Sequence, residues 1–169
     1  RRAADSAGFY VKTFVHEPFA ALVGHLYGEG NLWERLSSME GNNILVFDWG
    51  GGTLDVTVAG IRGGMLLELS TAGLSDRAGD SFDDALMRWT KSRFLDRNRL
   101  APSDVSPGAG LADRYLWECE RAKISLSELT TEKSQVARAF QAEGKSIGVD
   151  EGVSREDLDS LIDRDVRDA

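Results

Sequence analysis

One cysteine, three prolines and two histidines in 169 residues exclude a good deal. The single thiol, Cys119, cannot close an internal disulfide, so a reducing cytosol is the expected compartment. It reads as an inert helix residue, because no neighbour in sequence lowers a thiol pKa. His16 and His25 have no Cys or His partner at metal-ligand spacing, and no Ser-His-Asp set is evident. No apolar run approaches the ~20 residues a bilayer crossing needs. The start, Arg1-Arg2-Ala3-Ala4-Asp5, has neither Met nor the apolar core of a signal peptide. Basic residues are in deficit, 20 Lys and Arg against 28 Asp and Glu, for a net charge of −8. That balance argues against nucleic acid and anionic membranes as partners. It leaves nucleotide open, since backbone amides and a metal can hold phosphates. Three prolines against 18 glycines point to tight turns, not a proline-rich linker. The length suits one domain, or one domain with a small subdomain.

What the chain does have is the run Ile44-Leu45-Val46-Phe47-Asp48-Trp49-Gly50-Gly51-Gly52-Thr53-Leu54-Asp55. A strand delivers an aspartate and three glycines, then a threonine and a second aspartate as the chain becomes a strand again. Glycines let backbone N–H groups approach an anion closely. An aspartate at a strand end can hold a divalent cation that keeps several of its waters. Together these parts suit a Mg-nucleotide phosphate site. The competing reading is an ordinary glycine-rich hairpin turn, which needs neither flanking carboxylate.

The pattern predicts the end of a helix over residues 1–8, closing at Gly8, and a strand from Val11 to Val15. A helix follows from Pro18 to about Tyr27, with Pro18 at its first position. A short helix is expected around Trp33 to Met39. Three strands then form an antiparallel meander. Ile44 to Trp49 is apolar but for Asp48, as for a strand buried on both faces. Leu54, Val56 and Val58 alternate, Gly60 to Gly64 turns, and Met65, Leu67 and Leu69 alternate again. Ser81 is a candidate N-cap for a helix lined by Phe82, Ala85, Leu86 and Trp89. Asn98 to Gly110 reads as a loop. Leu111, Tyr115, Cys119, Ala122 and Leu126 mark an amphipathic helix. Ser134 to Phe140 and Lys145 to Val149 form a hairpin around Glu143-Gly144, and a last helix opens at Ser154. Residues 150–169 hold eight acids and three bases, a solvated helix face.

Gly144-Lys145-Ser146 resembles the end of a P-loop, but the motif needs glycine at position 139, which is Ala139, and the context is a hairpin. Glu17 lies at a strand-to-helix junction, where α/β folds often place functional side chains; the alternative is a carboxylate at its own helix N-terminus. Glu120, Lys123, Ile124 and Ser127 share one face of the amphipathic helix, offset from its apolar stripe. Taken alone, Glu120 and Lys123 make an ordinary surface pair, worth only ~0.3–0.5 kcal/mol.

Taken together the motifs resemble the ATPase region of the seventy-kilodalton heat-shock chaperones, the DnaK type. The matching residues are Glu17-Pro18 and the helix after them, Phe47 to Asp55, Ser70-Thr71-Ala72-Gly73, Gly79-Asp80-Ser81-Phe82-Asp83, and Cys119-Glu120-Arg121-Ala122-Lys123. They stand in family order over nearly the whole chain. The resemblance implies a mixed α/β fold, most of the second lobe of an actin-like ATPase: a β-meander sheet with flanking helices, plus a smaller helical and hairpin subdomain. Residues 1–73 would be the sheet-bearing base, 74–150 the outer subdomain, and 151–169 a helix returning to the base. The first lobe, with its phosphate loop and catalytic lysine, lies outside the chain, as does a second Gly-Gly loop, expected beyond Ala169. The missing initiator Met fits an excised piece.

By the same resemblance, Asp48 holds the waters around Mg, and Glu17 and Asp55 belong to the catalytic surroundings. Gly50, Gly51 and Gly52 face the phosphates of ATP or ADP, and Thr53 lies near the γ-phosphate. Gly79 and Asp80 are the ribose-side pair; Glu120, Lys123, Ile124 and Ser127 form the adenosine face. Ala78 replaces a family glycine, Asp80 is shorter than the usual glutamate, and Ile124 removes a stacking cation found in some members. Trp49 and His16 are unusual beside the site. The expected activity is hydrolysis of MgATP by the parent chaperone, driving its lobes open and closed, with client peptides or co-chaperones as partners. The alternatives are a nucleotide-gated assembly protein and another actin-like enzyme such as a sugar kinase.

Overall fold

A glycine triplet and a Gly-Gly turn fold residues 43–75 into a three-stranded meander. The strands are β1 (Asn43–Trp49), β2 (Thr53–Arg62) and β3 (Met65–Ser75), in that order across the sheet. The computed structural model describes residues 2–107, 112–142 and 145–168. β1 and β2 are antiparallel, with Ile44 opposite Ala59, Val46 opposite Thr57 and Asp48 opposite Asp55. The β2–β3 turn is narrower than the sequence suggests. Gly60 stays in β2, and only Gly63 and Gly64 turn, at φ +60 and +71, as a two-residue hairpin of mirror-image type demands.

Three helices precede the sheet: α1 (Arg2–Ser6), α2 (Glu17–Gly28) and α3 (Leu32–Ser38). Pro18 occupies the first turn of α2, as its missing N–H allows. Asn31 caps α3 by accepting the Trp33 N–H at 3.0 Å. Leu22, Leu26 and Leu36 from the helices meet Ala59 and Ile61 of β2, with Ile44 and Val46 of β1 packed against them. This core covers one sheet face only. Leu45 and Phe47, on the other face of β1, are 64% and 57% exposed, so β1 is not buried on both faces. Apolar composition does not tell which faces a sheet will cover. The strand expected at Val11 to Val15 is absent. The segment pairs into neither sheet, and Phe14 and Val15 are exposed; a weak alternation makes a strand only where a ladder accepts it.

The second body begins with α4 (Gly79–Asn98), a 3-10 turn at Pro102–Asp104 and the short β4 (Ser106–Pro107). Then come α5 (Ala112–Ser125), β5 (Thr131–Ala142), β6 (Lys145–Ser154) and α6 (Arg155–Asp168). β4, β5 and β6 form an antiparallel sheet in that order, with a register shift between Val136 and Phe140. Its core gathers Leu86, Phe94 and Leu95 of α4, Tyr115, Cys119 and Ala122 of α5, and Val149 and Val153 of β6. Leu158 of α6 joins it, with Leu161 and Ile162 packed alongside. The α5 stripe is as the periodicity predicts, except that Leu111 lies outside the described residues, as does the expected turn Glu143-Gly144. α4 starts two residues before the expected Ser81 cap. Ala78 is its N-cap, and Ser81 Oγ donates to Ala78 O at 2.8 Å while accepting the Ala78 N–H at 3.2 Å. The hydroxyl thus satisfies the helix start from inside the first turn.

By packing, residues 1–49 and 54–74 form one compact unit, and residues 50–53 and 75–169 form the other. Among the described residues, no helix is long and apolar enough to cross a membrane.

Candidate functional site

In the first unit, the register of β1 and β2 sets Asp48 directly opposite Asp55. Residues facing each other in a ladder point to the same side of the sheet, here the side of Ile44 and Val46 that the helices cover. Like charges in that position repel. A hollow on this unit is lined by His16, Glu17, Pro18, Asp55 and Thr71, so the entry to α2 and the sheet bring Glu17 and Asp55 around one space. Gly73 leaves room for Asp55: a Cβ there would stand 2.5 Å from Asp55 Oδ1. Thr57 Oγ1 and Thr71 Oγ1, 3.0 Å apart, share a hydrogen bond on the same side. His16 Nδ1 pairs with Glu68 at 3.0 Å. Sequence reasoning left Glu68 without a role, and no periodicity marks it.

Among the described residues, no three His, Cys, Asp or Glu groups gather as direct ligands of a metal. The facing Asp48 and Asp55 carboxylates suit a cation that keeps most of its water and needs one or two carboxylates from the protein. On that ground the residues present fit a hydrated magnesium ion better than a caged one.

In the second unit, the glycine turn docks on the first turn of α4. Gly50 closes it by donating its N–H to Thr53 O at 2.9 Å. Gly50 O accepts the Gly79 N–H at 3.1 Å, and Gly51 O accepts the Asp80 N–H at 2.7 Å. Two N–H groups of the α4 N-terminus are therefore satisfied by carbonyls of the turn. The packing is tight. A Cβ on Gly79 would lie 3.2 Å from Lys123 Nζ, 3.3 Å from Gly51 Cα and 3.4 Å from Gly50 O. A Cβ on Gly51 would lie 2.9 Å from Asp80 Oδ1, so the shortened carboxylate folds over the turn. Ala78, in place of a glycine, sits at φ −134 and ψ −173, extended backbone that any residue adopts, and its methyl is buried. That departure asks for no left-handed backbone.

A cleft of about 370 Å³ opens here, lined by Gly51, Gly52, Asp80, Ser81, Asp84 and Arg88 among others. The size is that of a small-molecule site. Gly51, Gly52 and Asp80 thus line one cleft, and Gly79 is tied to Gly50 through the backbone. The α5 residues do not share a single arrangement. Lys123 reaches α4, donating to Gly79 O at 2.9 Å and to Asp83 Oδ2 at 2.8 Å. Ile124 and Glu120 are exposed, and Ser127, in the turn just after α5, donates its Oγ–H to Ile124 O at 2.7 Å.

Asp83 is the residue sequence reasoning missed. It is only 4% exposed. Burial pushes its carboxyl above the usual carboxylate range; the Lys123 hydrogen bond and charge oppose that, and Glu120 and Asp80 add to it. The available signal was its place four residues after Gly79 on a helix, one turn from the glycine that Lys123 also holds.

Comparison with known proteins bears on the whole chain. Residues 1–168 match the Hsp70 protein family. The chain is 32% identical to a heat shock protein of Pyricularia oryzae over 87% of its length, and 34% identical to the chaperone protein dnaK of Phaeodactylum tricornutum over 82%. It is 31% identical to chaperone protein dnaK1 of Prochlorococcus marinus over 95%. It spans 22%, 20% and 22% of those relatives, about a fifth of their length. A match that runs from end to end, on a mixed α/β fold with the glycine turn and its flanking aspartates in place, makes the chain a member of the Hsp70 family.

Proposed function

We propose that this chain is most of the second lobe of an actin-like ATPase domain, whose parent binds MgATP and hydrolyses it to drive opening and closing of the lobes. Residues 1–73 then serve as the base of the lobe and 74–150 as its outer subdomain. The observation that carries this reading is the docking of the Gly50–Thr53 turn on the N-terminus of α4 through Gly79 and Asp80. A turn fixed by its carbonyls on one side keeps a set geometry for whatever its amides meet. Backbone amides in glycine turns are a common way to hold phosphates.

The roles divide by residue. Gly51 and Gly52 offer backbone N–H groups to the phosphates, while Gly50, expected beside them, spends its N–H on Thr53 O and closes the turn; the Thr53 hydroxyl stands beside the γ-phosphate. Asp48 orients water bound to the magnesium, and Glu17 and Asp55 hold the water and charge around it. Gly79 and Asp80 serve the ribose, and Glu120, Lys123, Ile124 and Ser127 the adenosine. Bound magnesium would neutralise charge on the phosphates; phosphoryl transfer depends mainly on such positioning and charge stabilisation. The exposed apolar face at Leu45 and Phe47 supports a lobe completed by other parts of the parent. The parent's partners are read as client peptides and co-chaperones. The chain by itself folds without turning ATP over, because donors from a first lobe are needed as well. In the two-lobed parent, Lys123→Ala together with Ser127→Ala should weaken MgADP binding in a calorimetric titration while the circular dichroism spectrum stays the same. Unchanged affinity would remove the adenosine assignment.

A further inference from the structure

We propose that Asp83 is a positioning residue for nucleotide: its carboxylate holds the Lys123 ammonium against the Gly79 carbonyl, leaving one N–H of that ammonium for the bound nucleoside. The proposal rests on the reading of Lys123 as an adenosine-side contact and extends it to a residue with no direct contact of its own.

The geometry is specific. Lys123 Nζ lies 2.8 Å from Asp83 Oδ2 and 2.9 Å from Gly79 O. An ammonium has three donors, and these two bonds use two of them. The Asp83 side chain is 6% exposed and that of Lys123 21%, so the pair is shielded while the lysine keeps a path to solvent. Gly79 makes the arrangement possible, since a Cβ there would stand 3.2 Å from Nζ. Lysine loses much rotamer freedom when it binds a ligand. Here that cost is met in the fold, before nucleotide arrives.

A structural ion pair alone accounts for this poorly. Among the described residues, the buried Asp83 Oδ1 has no hydrogen-bond partner. A carboxylate satisfied on one oxygen only is a costly way to stabilise a helix pair, and an apolar residue at position 83 would pack there without that penalty. What the carboxylate uniquely supplies is a fixed ammonium beside the glycine turn.

The test is a calorimetric titration of MgADP into the two-lobed parent, unmodified and carrying Asp83→Asn, Lys123→Ala or both. Each single change should weaken binding about tenfold, the loss of one charged hydrogen bond, and the double variant should bind no more weakly than Lys123→Ala. In steady-state hydrolysis, Asp83→Asn should raise KM for MgATP with kcat unchanged. If Lys123→Ala weakens binding but Asp83→Asn does not, or if the two losses multiply, Asp83 does not act through Lys123 and the proposal fails. If the unmodified parent does not bind MgADP, or Lys123→Ala leaves affinity intact, the adenosine-side reading itself fails and takes this proposal with it. A second measurement needs no variant. Amine labelling of the unmodified parent, read by mass spectrometry, should modify Lys123 more slowly than the exposed Lys12; equal rates would overturn the proposal.

Discussion

Asp48 and Asp55 stand directly opposite each other on adjacent strands, two like charges on the helix-covered side of the sheet. The arrangement opposes stability, since facing like charges in a ladder destabilise it. Sites that bind cations commonly carry such a penalty. Asp48→Asn should therefore stabilise the chain by about 0.2–1 kcal/mol in urea denaturation at low salt. A loss of stability would show that the pair is not in repulsion.

Gly79 lies where the glycine turn, α4 and Lys123 crowd together. Gly79→Ala forces a methyl against backbone atoms as well as the ammonium, and backbone gives less readily than a side-chain end. Thermal or urea denaturation should register a cost of about 1–3 kcal/mol, typical of overpacking. A change under about 0.5 kcal/mol, the range of neutral surface substitutions, would mean the turn is not held as described.

Ser154 and Asp157 close the N-terminus of α6 reciprocally. Asp157 Oδ2 accepts the Ser154 N–H at 2.9 Å, and Ser154 Oγ accepts the Asp157 N–H at 3.1 Å. This is a capping box with aspartate in the third position. The bonds from Ser154 hold the Asp157 carboxyl below its ordinary 3.8. A depressed carboxylate contributes stability that is present above the unfolded value and lost as pH falls through the folded one. Asp157→Ala should cost about 1 kcal/mol at pH 7, and the gap to the unmodified chain should close as pH drops below 3.8. A gap that persists in acid would point to packing instead of the cap.

Tyr115 and Thr90 share a buried hydrogen bond of 2.7 Å between α5 and α4. Burial pushes the phenol well above its ordinary range, so it stays protonated and available to donate. Thr90 Oγ1 also donates to Leu86 O at 2.9 Å, which leaves the phenol as donor to the threonine oxygen. Tyr115→Phe should cost about 1 kcal/mol in urea denaturation. No loss would mean the hydroxyl is already satisfied elsewhere.

Local pattern carried most of the fold. The α5 stripe of Tyr115, Cys119, Ala122 and Leu126 is buried as its spacing requires, because a helix buries whatever its 3.6-residue period lines up. The meander was legible because glycines mark both of its turns. The failures share one cause, that burial depends on what lies beside an element. Leu45 and Phe47 look like core but stand on an exposed face, and the alternating segment Val11 to Val15 joins neither sheet. At the site, the glycine turn and the facing aspartates follow from strand register, which a short turn fixes. Asp83 did not, because its importance lies in a contact with a helix forty residues away. The N-cap of α4 slipped by three residues, from Ser81 to Ala78, because Ser81 caps from within the turn, where a hydroxyl and an N-cap look alike in sequence.

The most direct measurement of the central claim is phosphate release from MgATP by the two-lobed parent, unmodified and carrying Asp48→Asn. The account predicts slow, sustained release by the unmodified protein and release at background level by the variant, with both folded. Equal release by the two proteins, or none by either, would contradict it.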